Sequence, residues 1–187
     1  MHDSVYMAIQ LAAKECFEYR PILIGGGAME YYGMRERGHD FDFIVHREDA
    51  KRLRNLPAAQ INHFGGQVKD KDGFSTDVDS TITINHFDYA VTMFQYGYEF
   101  FSPRAIYIGE DYLVISREDL LLLKALTATN RDGWEGSLAE NIQKQRRDVD
   151  LIIRSIVEEK YKKGEWDNAV SFNESFEEEE VDNDLRF

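Results

Sequence analysis

Cysteine is almost missing from this chain: Cys16 is the only one in 187 residues. A lone thiol makes no internal disulfide, which fits a reducing compartment such as the cytoplasm. Its place in a helical pattern suits a small buried hydrophobe. Proline occurs three times, at 21, 57 and 103, and no Pro/Gly/Ser-rich linker or internal repeat divides the chain. No stretch approaches the roughly 20 apolar residues of a membrane span. A basic segment followed by an apolar run, the mark of a secretory signal, is also lacking at the N-terminus. Positive charge is scarce: 22 Lys and Arg stand against 35 Asp and Glu, a net charge of −13. Seven of those acids, with no base among them, fall in ESFEEEEVDND at 174–184. That segment buries too little apolar surface to offset its ordering entropy and reads as a solvated tail. The remainder, at about −6, is still acidic. A broad nucleic-acid face is therefore not expected, and only a local basic patch is. No G-x-S-x-G hydrolase elbow occurs. His39, His46, His63 and His86 share no zinc-ligand spacing with one another or with Cys16.

What is present supplies a core: 43% of residues are apolar and 13% aromatic. Apolar spacing predicts a helix over 3–19, closed by Pro21, then a short buried strand at 22–24. Gly25, Gly26 and Gly27 read as a turn, with a helix starting at Ala28. Residues 40–45 read as a strand and 47–55 as a helix closed by Pro57. The remaining strands are expected within 58–64 and 74–94, with turns at 65–66 and 71–73. After Gly109 the pattern turns helical. Ser116 is a good N-cap, with acids at 118 and 119 in the first turn. A long helix follows over about 138–162, stopped by Gly164. The expectation is an α+β protein: a small mixed sheet with flanking helices over 1–112, a helical part over 113–164, and an acidic tail over 165–187.

The stretch ILIGGGAMEYYGMRERGHDFDFIV, residues 22–45, raises the chemical question. Side chains on a strand alternate faces, so Asp40 and Asp42 share one face, roughly 7 Å apart. Phe41, Phe43 and Val45 take the other and can pack on helices. Two oxygen donors on a stiff element suit a hard cation. Asp88 in FDYAVTMF stands in the same pattern and is the candidate third carboxylate. Asp77 and Asp79 compete, but read more as turn residues near Gly73. Carboxylates about 5 Å apart repel by roughly 3 kcal/mol at an effective dielectric near 20. Such a cluster persists when a divalent cation neutralises it or one member is protonated. Magnesium takes carboxylates together with substrate phosphates. The glycines, lacking Cβ atoms, let backbone N–H groups approach a polyphosphate at a helix start.

These residues resemble the signature of the nucleotidyltransferase superfamily, the DNA polymerase beta-like fold. That signature is an apolar residue, a glycine pair, a short helix and Asp-hydrophobic-Asp-hydrophobic. The resemblance implies that Gly25 and Gly26 contact nucleotide phosphates and that Asp40, Asp42 and Asp88 are catalytic residues binding two magnesium ions. YLVISREDLLLLKALTATNRDG and KQRRDVDLI are similar to the helical end of small bacterial nucleotidyltransferases, including toxin-like and antibiotic-modifying members. There Lys124 would reach the triphosphate, and Asp148 and Asp150 match an acidic helix motif. The likeness spans roughly residues 20–155. RERGHD departs from it, since many relatives carry threonine or serine there.

The implied activity moves a nucleoside monophosphate from a nucleoside triphosphate to an acceptor hydroxyl on RNA, protein or a small molecule. A protein partner, as in toxin–antitoxin pairs, is implied in the same way. The alternatives are an inactive module of this fold and a metal-dependent nuclease. Lys124 could also snorkel from its leucine-rich helix. Arg35 and Arg37 could bind phosphate bidentately, or balance Glu36 and Asp40 locally. The tyrosines and phenylalanines between 87 and 107 read as core and sheet surface, or as a platform on which a base could stack. The basic run KQRRDVD reads as a solvated helix face, or as an entry for acceptor phosphates.

Overall fold

The computed structural model describes residues 17–63, 67–69, 75–77, 80–84, 87–93, 96–108, 111–129 and 138–163. Most of the helix expected over 3–19 lies outside them, as do the turns at 65–66 and 71–73, Gly164 and the acidic tail. Residues 17–20 are irregular.

Apolar and aromatic residues build a seven-stranded mixed sheet. In spatial order its strands are Ile106–Ile108 (β10), Tyr112–Val114 (β11), Ile22–Leu23 (β1), Phe41–Ile44 (β2), Phe87–Ala90 (β7), Ser80–Ile84 (β6) and Gln60–His63 (β3). Two separate ribbons join Gln67–Lys69 (β4) to Ser75–Asp77 (β5) and Thr92–Met93 (β8) to Tyr96–Gly97 (β9). The helices are Gly25–Tyr31 (α1), Arg47–Leu53 (α2), Tyr98–Phe101 (α3), Arg117–Thr129 (α4) and Leu138–Lys162 (α5). The protein is thus α+β, with a central mixed sheet and flanking helices.

The middle of the sheet is set by two similar sequences, FDFI and FDYA. β2 and β7 run parallel, with Phe41 opposite Phe87, Asp42 opposite Asp88 and Phe43 opposite Tyr89. The aromatic residues of both strands face one side and are buried. Phe41 stacks on Phe87 at 5.4 Å and Phe43 on Tyr89 at 5.7 Å between ring centroids. Stacks of this kind stabilise by about 1 kcal/mol beyond their area burial. Alternation then sends Asp42 and Asp88 together to the opposite face.

Two expectations need correction. Helix α1 begins at Gly25, not at Ala28. Gly25 adopts φ 59°, a left-handed conformation open to glycine, so one residue turns the chain out of β1 and the helix starts at once. The carbonyl of Ile24 accepts the first helical hydrogen bond, from Ala28 at 3.1 Å. Gly33, at φ 70°, ends the same helix. Met34 N–H donates to the Met29 carbonyl and Gly33 N–H to that of Glu30, a Schellman closure.

The second correction concerns residues 112–114, which form a strand. Leu113 and Val114 pair in parallel with Ile22 and Leu23. A short apolar run fits a buried strand as well as a helix, and pairing beside β1 decides between them. The boundary expected between 112 and 113 therefore cuts a sheet strand. Helix α4 starts where expected. Ser116 Oγ accepts the Asp119 N–H at 3.1 Å. α4 and α5 pack along each other, and Leu120, Leu123 and Ile152 join the sheet's core.

Candidate functional site

A cavity of about 250 Å³ lies between one sheet face and the helix pair α4–α5. Its floor includes Asp42 and Asp88, with Gly25 at one edge and Lys124 in the helical wall. The local causes are distinct. Strand alternation and the buried aromatic faces aim the two aspartates. The left-handed Gly25 brings the start of α1 against Asp42. A Cβ on Gly25 would fall 2.1 Å from Asp42 Oδ2, so no other residue fits there without displacing that carboxylate.

The electrostatics of Asp42 follow from this crowding. Burial first, then the negative charge of Asp88, push its carboxyl up to about 6. Lys124 and the Gly26 N–H, which donates to Asp42, pull the other way without prevailing, and Asp40 adds to the rise. Asp88 accepts a hydrogen bond from Thr83 Oγ1 at 2.6 Å, which fixes one of its oxygens. Thr81, Thr127 and Gln145 supply further neutral polar lining.

Lys124 is held rather than loose. Its Nζ lies 2.8 Å from Asp148 Oδ2 and donates to Gln145 Oε1 at 3.2 Å. Asp148 is 1% exposed and also takes a two-pronged contact from Arg35: Nε to Oδ1 at 2.7 Å and Nη2 to Oδ2 at 2.9 Å. Burial raises its carboxyl, but the Arg35 and Lys124 hydrogen bonds outweigh that and hold it below the usual range. Asp150 points elsewhere, exposed and paired with Arg154 at 3.0 Å.

Of the seven residues expected at the site, Gly25, Asp42, Asp88 and Lys124 line the cavity. Gly26 reaches it through its N–H to Asp42. A Cβ on Gly26 would meet nothing nearer than 3.5 Å, so space does not demand glycine there. Asp40 stands one residue before β2 and is exposed, outside the cavity lining. Arg37 is also outside it: the guanidinium lies 4.0 Å over the Phe41 ring and its Nε is 3.1 Å from Glu30. Arg35 forms its ion pair with Asp148, 113 residues away in sequence, and among the described residues its only tie to Glu36 is a hydrogen bond from Nη1 to the backbone carbonyl at 2.8 Å. Asp77 lies on the separate β4–β5 ribbon, and Asp79 is outside the described residues. Among the described residues, no three His, Cys, Asp or Glu side chains gather closely enough to enclose a metal ion. Tyr96 and Phe101 both pack against Phe100, tilted and edge-on respectively, Tyr98 lies edge-on to Tyr19 and His46, and Phe43 is among the residues lining the cavity. Lys144, Arg146 and Arg147 of the basic run are exposed on α5.

Sequence reasoning passed over Thr83 and Gln145, and left Asp148 without a role. Thr83 was discoverable, since β-hairpin pairing places it opposite Asp88. The meeting of Arg35, Lys124 and Asp148 carries no sequence signal, because three distant segments supply it.

Among the described residues no helix is long and apolar enough to cross a membrane. No family model matches the chain, and no curated protein matches it. A solved structure described as "Crystal structure of putative nucleotidyltransferase from H. pylori" overlaps 83% of this chain and 80% of that one, with a TM-score of 0.36 and 16% identity.

Proposed function

We propose that this protein is a nucleotidyltransferase that moves a nucleoside monophosphate from a nucleoside triphosphate to an acceptor hydroxyl. The observation that carries the reading is the side-by-side placement of Asp42 and Asp88 in a cavity edged by Gly25 and walled by Lys124. Acids facing each other at part-buried positions are unfavourable alone, as the raised Asp42 carboxyl records. Hard carboxylate oxygens beside a backbone that only glycine allows, and an ammonium opposite, fit a magnesium ion together with an anionic ligand. Asp42 and Asp88 would hold that ion, with Asp40 on the solvent side for the second ion such chemistry employs. When bound, magnesium neutralises charge on the phosphates and lowers the pKa of a coordinated oxygen.

The chain's own groups would then do the following. Gly25 allows the backbone to approach the phosphates closely, and Lys124 offsets charge on the leaving group. Asp88, oriented by Thr83, accepts the acceptor's hydroxyl proton. The acceptor oxygen bonds to the α-phosphorus, the bond to the β-bridging oxygen breaks, and pyrophosphate departs with that electron pair. Positioning and charge neutralisation supply most of the rate in such transfers.

A second reading has an observation of its own. Asp40 is exposed and outside the cavity, so two carboxylates rather than three line it. A module that binds a nucleotide without turning it over is consistent with that. The test is incubation with magnesium and each labelled triphosphate, with total RNA and cell lysate as acceptors. Label on a discrete species with wild type, and none with Asp42→Asn, supports transfer. Binding without label in either protein supports the module. Cleavage of RNA without added triphosphate would point to a nuclease instead.

A further inference from the structure

We infer that Asp148 is a positioning residue whose work is to aim Lys124 at the phosphate side of the Asp42–Asp88 cavity. This rests on the proposed reading of the cavity and adds a residue to it. Lys124 has a flexible four-carbon stem, and α4 alone gives its ammonium no fixed direction. Asp148 and Gln145, three residues apart on α5, receive that ammonium at 2.8 and 3.2 Å. Asp148 is itself fixed by Arg35, which donates to both of its oxygens. Arg35 lies in the segment joining α1, which begins at Gly25, to β2, which carries Asp42. One buried carboxylate therefore sets the helical wall against the sheet floor. It also holds two cations with a single negative charge, leaving a net positive charge to face Asp42 and Asp88. Asp150, two residues on, faces away and pairs with Arg154, so the two acids of DVD have separate jobs.

The test uses the full-length chain and inorganic tripolyphosphate, titrated calorimetrically with magnesium present. Lys124→Ala is expected to weaken binding about tenfold or more, as loss of a charge-assisted contact does. Asp148→Asn should weaken it by a similar factor, and the double variant should be little weaker than either single one. Asp150→Asn should bind as wild type does. Should Asp148→Asn not fold, Asp148→Glu keeps the charge, lengthens the arm and predicts loss in the same direction. Full binding by the Asp148 variants, or losses that multiply in the double variant, overturn the positioning role alone. No binding by wild type overturns the reading of the cavity and this inference with it.

Discussion

Asp42 holds its proton far more tightly than an exposed aspartate does, with its carboxyl pushed from 3.8 up to about 6 by burial and by Asp88. A rise of that size corresponds to roughly 3 kcal/mol against the charged form. The folded chain therefore binds a proton that the unfolded chain has released between about pH 4 and 6. Stability from this group is present at low pH and is lost as pH rises through 6. In metal-free buffer at pH 8, Asp42→Asn should be more stable than wild type by up to about 3 kcal/mol. The gap should close as pH falls toward 4, and denaturant melts across that range check it. A variant less stable than wild type at every pH would contradict this. The glycines divide in the same way. Gly25→Ala combines a left-handed backbone with a Cβ 2.1 Å from Asp42 Oδ2. It should lose about 2 kcal/mol or more and disturb the cavity. Gly26→Ala, with nothing nearer than 3.5 Å, should be neutral or stabilising by up to about 1 kcal/mol.

At the scale of elements, much was legible. FDFI and FDYA announce strands with one aromatic face and one acid, and both aspartates line the cavity as their alternation requires. Ser116 marks the start of α4, and Ser116→Ala should cost about 1 kcal/mol in a thermal or denaturant melt. Less legible were features that depend on distant partners. β11 is a strand because β1 offers it an edge, a fact that residues 112–115 do not contain. The helix start at Gly25 depends on a single backbone angle. Arg35 looked local because its sequence neighbours are acidic, whereas burial gave it Asp148. That tie joins α5 to the α1–β2 segment, and its carboxyl is held below the usual range. Its contribution is present above the ordinary aspartate pKa near 4 and is lost as pH falls further. Asp148→Ala, which strands two cations, should lose about 3 kcal/mol or more at pH 7 and much less near pH 2.

At the scale of the whole molecule, sheet and helix pair each contribute half of a site. The sheet provides the paired acids, the start of α1 provides Gly25, and α4 and α5 provide Lys124 and its support. Magnesium should raise the melting temperature of wild type, by relieving the Asp42–Asp88 repulsion, and should do so much less for Asp42→Asn. The most direct measurement compares two labels on the same nucleoside triphosphate, one on the α-phosphorus and one on the γ-phosphorus, with magnesium and an acceptor mixture. The account predicts that α label appears on an acceptor while γ label leaves in pyrophosphate, and that Asp42→Asn abolishes both. Transfer of the γ label to the acceptor, or no transfer of either while the triphosphate is bound, would contradict it.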